Sequence, residues 1–102
     1  MPIIARGFVN QDELAEEIAK ATQALDPRDV ADVQFTLDTD SYGEPAVFFL
    51  VLLRPRATKE SRLSKVTEKV RTEFFERLQP YNRWGLQAYY NFTSDAARRR
   101  PA

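Results

Sequence analysis

The sequence predicts an α+β two-layer sandwich in the order helix, strand, strand, helix, strand, with a three-stranded sheet that carries both helices on one face. Three observations lead there. Two segments repeat apolar residues three and four apart, three others alternate or are apolar throughout, and a turn sequence, Asp40-Ser41-Tyr42-Gly43, joins the first two strands. At 102 residues the chain holds a single core, here assigned to residues 1–93, with a basic tail over 94–102 expected to be mobile.

The first helix opens at Asn10, with Glu13 three residues on in the pattern of a capping box. Leu14, Ile18, Ala21 and Leu25 form its apolar stripe, and Asp26-Pro27 ends it, because the residue before proline avoids helical geometry. Its other side carries Asp12, Glu13, Glu16 and Glu17.

From Val30 the period falls to two, with Val33, Phe35 and Leu37 alternating with Gln34, Thr36 and Asp38. The second strand begins at Pro45, where a proline is tolerated at a strand's first position, and runs through the apolar residues 46–53. Apolar at odd and even positions alike, it should be covered on both faces. Asp40 at the first position and Gly43 at the fourth suit a type I turn followed by a left-handed residue, giving a three-residue hairpin loop. Asp40 then faces Glu44, and counting outward sets Leu37 opposite Val47, Phe35 opposite Phe49 and Val33 opposite Val51. The odd-numbered residues of both strands share one face, and a slip by one would exchange the faces.

The second helix is expected to open at Ala57 or Thr58 and to reach Gln79, ended by Pro80, with the stripe Leu63, Val66, Val70, Phe74 and Leu78 inward. Phe75 lies at the margin of that arc. Residues 81–85 read as a loop whose Trp84 plugs a helix end. The third strand, residues 86–93, turns Leu86, Ala88, Tyr90 and Phe92 to one face and Gln87, Tyr89 and Asn91 to the other. If residues 3–9 pair as an additional N-terminal strand, the element order becomes that of a ferredoxin-like split βαβ domain. The five-element order also resembles a reduced type II KH arrangement of RNA-binding domains, in order alone. The Gly-x-x-Gly loop with which KH domains clamp nucleotides is missing, since the glycines are Gly7, Gly43 and Gly85.

Composition narrows the chemistry. With no histidine and no cysteine, imidazole and thiolate catalysis and their metal sites are excluded, and no disulfide can form. The sequence shows neither a basic-then-apolar leader nor an apolar run of spanning length, so the expectation is a cytoplasmic protein with no membrane association. Net charge is zero, yet residues 1–50 hold three basic against ten acidic side chains, a balance of −7, and residues 51–102 hold twelve against five, a balance of +7.

Three readings of function follow. The face of the sheet away from the helices would present Phe48, Leu50, Leu52 and Tyr89, bordered by Gln34, Thr36, Gln87 and Asn91, an apolar patch of roughly a few hundred Å². That points to a non-catalytic protein-interaction or self-associating domain, its partner a second copy or another subunit. The alternative is nucleic acid, held by Arg54, Arg56, Arg62, Lys65 and Lys69 with Tyr89 stacking on a base. The protein reading ranks first because the basic helix would cover the opposite face of the sheet. Asp38 and Asp40 form a weak candidate magnesium pair, but turn chemistry already accounts for Asp40. No catalytic residue set and no cofactor is expected.

Overall fold

The computed structural model describes residues 10–94; residues 1–9 and 95–102, on which the expectations of an additional N-terminal strand and of most of the basic tail fall, lie outside the described part. Its elements are α1 (Gln11–Gln23), β1 (Val30–Thr39), β2 (Pro45–Leu53), a 3-10 turn (Pro55–Thr58), α2 (Glu60–Leu78), α3 (Pro80–Trp84) and β3 (Gln87–Ser94). The expected order of helix, strand, strand, helix, strand is the observed one.

Asn10 caps α1 by accepting the Glu13 amide on its side-chain oxygen at 3.0 Å. Leu14, Ile18 and Ala21 are buried beneath the helix. The helix stops at Gln23, four residues before Pro27, and the amides of Ala24 and Leu25 tighten its end by donating to Ala21 and Thr22. Leu25 leaves the helix but remains in the core, 5% exposed.

The hairpin register is the one counted from the turn: Leu37 pairs with Val47, Phe35 with Phe49 and Val33 with Val51, antiparallel. The Gly43 amide donates to the Asp40 carbonyl at 3.0 Å, and Gly43 takes φ +79°, a left-handed conformation that costs a residue with a Cβ. At the other end the pairing shifts between Val30 and Asp32, where Ala31 is the extra residue of a bulge. The bulge turns even-numbered Val30 toward the odd-numbered core face, where it is buried.

β3 pairs parallel to β2, completing a mixed sheet in the order β1-β2-β3. Because β2 and β3 are direct neighbours, the β2-α2-β3 crossover is not split, and the slot that a ferredoxin-like domain reserves beside β2 for its N-terminal strand is filled by β3. Ser94, counted above with the tail, pairs with Leu53 as the last residue of β3. The core lies between the odd-numbered face of β2 and the two helices, joining Leu14, Ile18 and Ala21 to Val66, Val70, Phe74 and Leu78 through Val47, Phe49 and Val51. At its centre the Phe49 ring meets Phe74 edge-on at 5.1 Å and stacks on Tyr90, also at 5.1 Å.

Three expectations need correction. The second helix does not open at Ala57 or Thr58: Pro55 nucleates a 3-10 turn, Lys59 then takes an extended conformation at ψ 142°, and α2 begins at Glu60. The segment read as a loop is α3. Gln79 adopts φ 47° and closes α2, Pro80 supplies the ready-made φ of a helix start, and Gly85 at φ 69° closes the short helix. Leu63, placed on the buried stripe, is 39% exposed, because it borders an open groove with Leu53 and Phe92. Phe75 is 62% exposed and belongs to the surface of α2. Trp84 packs against the core as a plug, with the Arg83 guanidinium 5.4 Å from its ring centre. No helix among the described residues is long and apolar enough to cross a membrane.

An ion-pair clamp closes the end of the sandwich where α1 hands over to β1. Asp29, only 7% exposed, accepts from Arg56 Nε at 2.9 Å and from an Arg62 terminal nitrogen at 2.8 Å, and its carbonyl accepts the Arg54 amide at 2.8 Å. Burial pushes the Asp29 carboxyl up, but the two guanidinium hydrogen bonds outweigh it and hold it below its ordinary value. Neighbouring Asp26 is lowered to about 2, chiefly by its side-chain and backbone hydrogen bonds from Arg28.

Two outcomes follow for stability. Asp29→Ala strands two guanidiniums that are about 40% exposed, and is expected to cost about 2–4 kcal/mol in chemical denaturation at neutral pH. Both carboxyls ionise more readily in the folded chain than in the unfolded one. Their contribution is therefore full above the ordinary carboxylate value near 3.8 and is lost as pH falls below it through the lowered folded values, about 2 for Asp26. Denaturation curves across that window should show a shallower acid loss in Asp29→Ala than in the parent chain.

Candidate functional site on the helix-free sheet face

Alternation along three paired strands builds the face opposite the helices in rows. Thr36, Phe48 and Tyr89 lie side by side across the sheet; the next row is Gln34, Leu50 and Asn91, and the one beyond it Asp32, Leu52 and Thr93. On the other side stand Asp38, Ala46 and Gln87. The four residues singled out in the sequence, Phe48, Leu50, Leu52 and Tyr89, thus share one face. They are unequally open: Tyr89 is 39% exposed, Phe48 and Leu50 are half-buried, and Leu52 is 7% exposed.

The centre of the face is an aromatic stack. The rings of Phe48 and Tyr89 lie 5.2 Å apart and 15° from parallel, a geometry set by their direct opposition in the parallel β2–β3 register. Around them Thr36, Leu50 and Asn91 outline a shallow depression of about 250 Å³. The Tyr89 hydroxyl donates to Asp40 at 2.7 Å, tying β3 to the hairpin turn across the width of the sheet. That bond, with the amides of Glu44 and Tyr42 on the other oxygen, holds the Asp40 carboxyl below its ordinary value. The same bond pushes the Tyr89 hydroxyl up, since losing its proton would set a phenolate against a carboxylate.

Asp38 and Asp40 are not assembled into a ligand set. Asp38 accepts the Thr39 amide at 2.8 Å, both oxygens of Asp40 are engaged within the turn and by Tyr89, and among the described residues no group of three or more acidic side chains is placed to hold a metal. The basic candidates are not assembled with Tyr89 either. Arg56 and Arg62 are bound to Asp29, Arg54 donates to the Pro27 carbonyl at 3.0 Å, and Lys69 lies 3.6 Å from Glu73. Lys65 is exposed on α2. These residues sit at the end of the sandwich or on the helical layer, with the sheet between them and Tyr89.

Sequence reasoning missed Asp26 and Asp29 as the partners of the arginines. Asp29 is 27 residues from Arg56 and 33 from Arg62, a separation at which no periodicity exists to be read. The one available signal was the acidic Asp26-Pro27-Arg28-Asp29 turn in a chain whose basic charge lies in the other half.

Comparison with protein-family models, with curated proteins and with solved structures found no match for this chain.

The Tyr89–Asp40 bond can be read directly. Tyr89→Phe keeps the ring stack and deletes the donor, so the Asp40 carboxyl should titrate at a higher pH, closer to its ordinary value, in a carbon-detected NMR titration. The Phe48 contact should be preserved in the same spectra.

Proposed function

We propose that this protein is a non-catalytic interaction domain that docks through the helix-free face of its sheet, with a second copy of the chain as its simplest partner. The observation that supports this reading most is the stack of half-buried Phe48 on exposed Tyr89 beside Leu50, with neutral Thr36, Gln34 and Asn91 at its border and no described helix over it. An apolar, aromatic centre inside a polar rim is the anatomy of a protein interface, and aromatic residues are its usual anchors. A flat surface with an uncharged centre, its carboxylates Asp32 and Asp38 confined to the edge strand β1, suits a twofold contact in which the same patch meets itself.

Charge weighs against nucleic acid. The ionised groups of this face are carboxylates, Asp32 and Asp38, with Asp40 at its edge, and they repel phosphates. The arginines that would attract phosphates are held by Asp29 at the end of the sandwich. The depression beside Phe48, Leu50 and Tyr89 is shallow and, apart from the Tyr89–Asp40 pair, gathers no titratable groups among the described residues, which weighs against substrate turnover.

Sedimentation of the parent chain up to about 1 mM should show a mass rising toward the dimer. Leu50→Asp should remain monomeric and folded, because a carboxylate in the contact loses its water without gaining a partner. A parent chain that stays monomeric throughout overturns self-association. A variant that unfolds would place Leu50 in the core and overturn the assignment of this face.

A further inference from the structure

A second feature lies on the helical layer, away from the proposed interface and independent of it. Between the turn that follows α1 and the outer side of α2 is a cavity of about 320 Å³, at the lower end of the range of small-molecule sites of roughly 300–1,000 Å³. Its floor is apolar, made by Leu25, Val30, Val66 and Val70, all buried core residues. Its walls carry Arg62, Lys65 and Lys69, one, two and three turns along the same side of α2, and opposite them Asp26 and Asp29.

The charges around it do not balance. Both oxygens of Asp29 are taken, by Arg56 and Arg62, and Asp26 is paired with Arg28 and approached by Arg56 at 3.7 Å. Lys69 has Glu73 at 3.6 Å. Lys65 makes no ion pair with any described residue, so one ammonium at the wall is left uncompensated. A second donor on the wall also lacks a partner: Arg62 Nε is buried and has no acceptor among the described residues.

We infer that this cavity binds a small organic monocarboxylate, with its hydrocarbon body on Leu25, Val30, Val66 and Val70 and its carboxylate at Lys65 and Arg62. Lys65 is the wall cation with no ion-pair partner among the described residues, and the guanidiniums of Arg28, Arg56 and Arg62 already outnumber the carboxylates of Asp26 and Asp29, so an anion meets a net positive wall. The apolar floor selects a carbon chain over an inorganic ion, and the two wall carboxylates, already saturated by guanidinium donors, leave the anion facing a positive field.

Octanoate is the probe, titrated into the full chain with amide shifts followed by NMR. The amides of Leu25, Val30, Val66 and Val70 should shift and saturate with a dissociation constant below about 1 mM. Octanol, with the same body and no charge, should bind at least about tenfold more weakly, and inorganic phosphate should leave these amides unmoved. Lys65→Met should weaken octanoate about tenfold while leaving octanol unchanged, and Lys65→Gln, which keeps polarity without charge, should do the same. Octanol binding as well as octanoate would reduce the cavity to an apolar crevice and overturn the inference. So would phosphate shifting the same amides, an unchanged affinity in both Lys65 variants, or no saturable shift with octanoate.

Discussion

The backbone hydrogen bond from the Gly43 amide to the Asp40 carbonyl, with Gly43 left-handed at φ +79°, sets the register of the hairpin, and the two faces of the sheet follow from it. Because side chains alternate, one residue of slip would send Phe49, Val47 and Val51 to the open face and Phe48 and Leu50 to the core. Asp40 reinforces this setting from its side chain, accepting the Tyr42 and Glu44 amides on one oxygen and the Tyr89 hydroxyl on the other. A single short turn therefore positions both the packing partners of Phe74 and the aromatic stack on the opposite side. β3 inherits the same assignment through its parallel register with β2.

The central strand is apolar on both faces for two different reasons. On one face Val47, Phe49 and Val51 meet two helices and are lost from water almost completely. On the other, Phe48 and Leu50 keep part of their surface exposed, while Ala46 and Leu52 are closed off among their neighbours. A stack such as Phe48 on Tyr89 shelters ring area without removing it from reach, and apolar surface held in that half-exposed state is what a docking partner can still bury.

Electrostatics divides the molecule along the other axis. The opposed charges of the two halves of the sequence do not simply face different directions: at the end of the sandwich Asp26 and Asp29 from the acidic half draw in Arg56 and Arg62 from the basic half, at distances down to 2.8 Å. This clamp joins the α1–β1 turn, the 3-10 turn and the start of α2 where no strand pairing could do so. It also engages two arginines at the end of the sandwich, and leaves Lys65 and Lys69 on α2 beside an apolar cavity, on the layer opposite the aromatic stack.

The sequence by itself determined the two long helices, the three strands and their order, the hairpin register and the identity of the two faces, because each rests on interactions within a few residues: a cap at Asn10, a type I turn ending in Gly43, periods of two and of three to four. It also carried the four residues of the open face, since alternation places them wherever the register is known. The extent of Leu63's exposure, the conversion of residues 80–84 into a short helix after a left-handed Gln79, and the direct pairing of β3 with β2 were decided only in three dimensions. So was the fate of the arginines. A carboxylate 27 residues away competes for a guanidinium only after the chain has closed on itself, and closure depends on the summed burial of a core that no local pattern encodes.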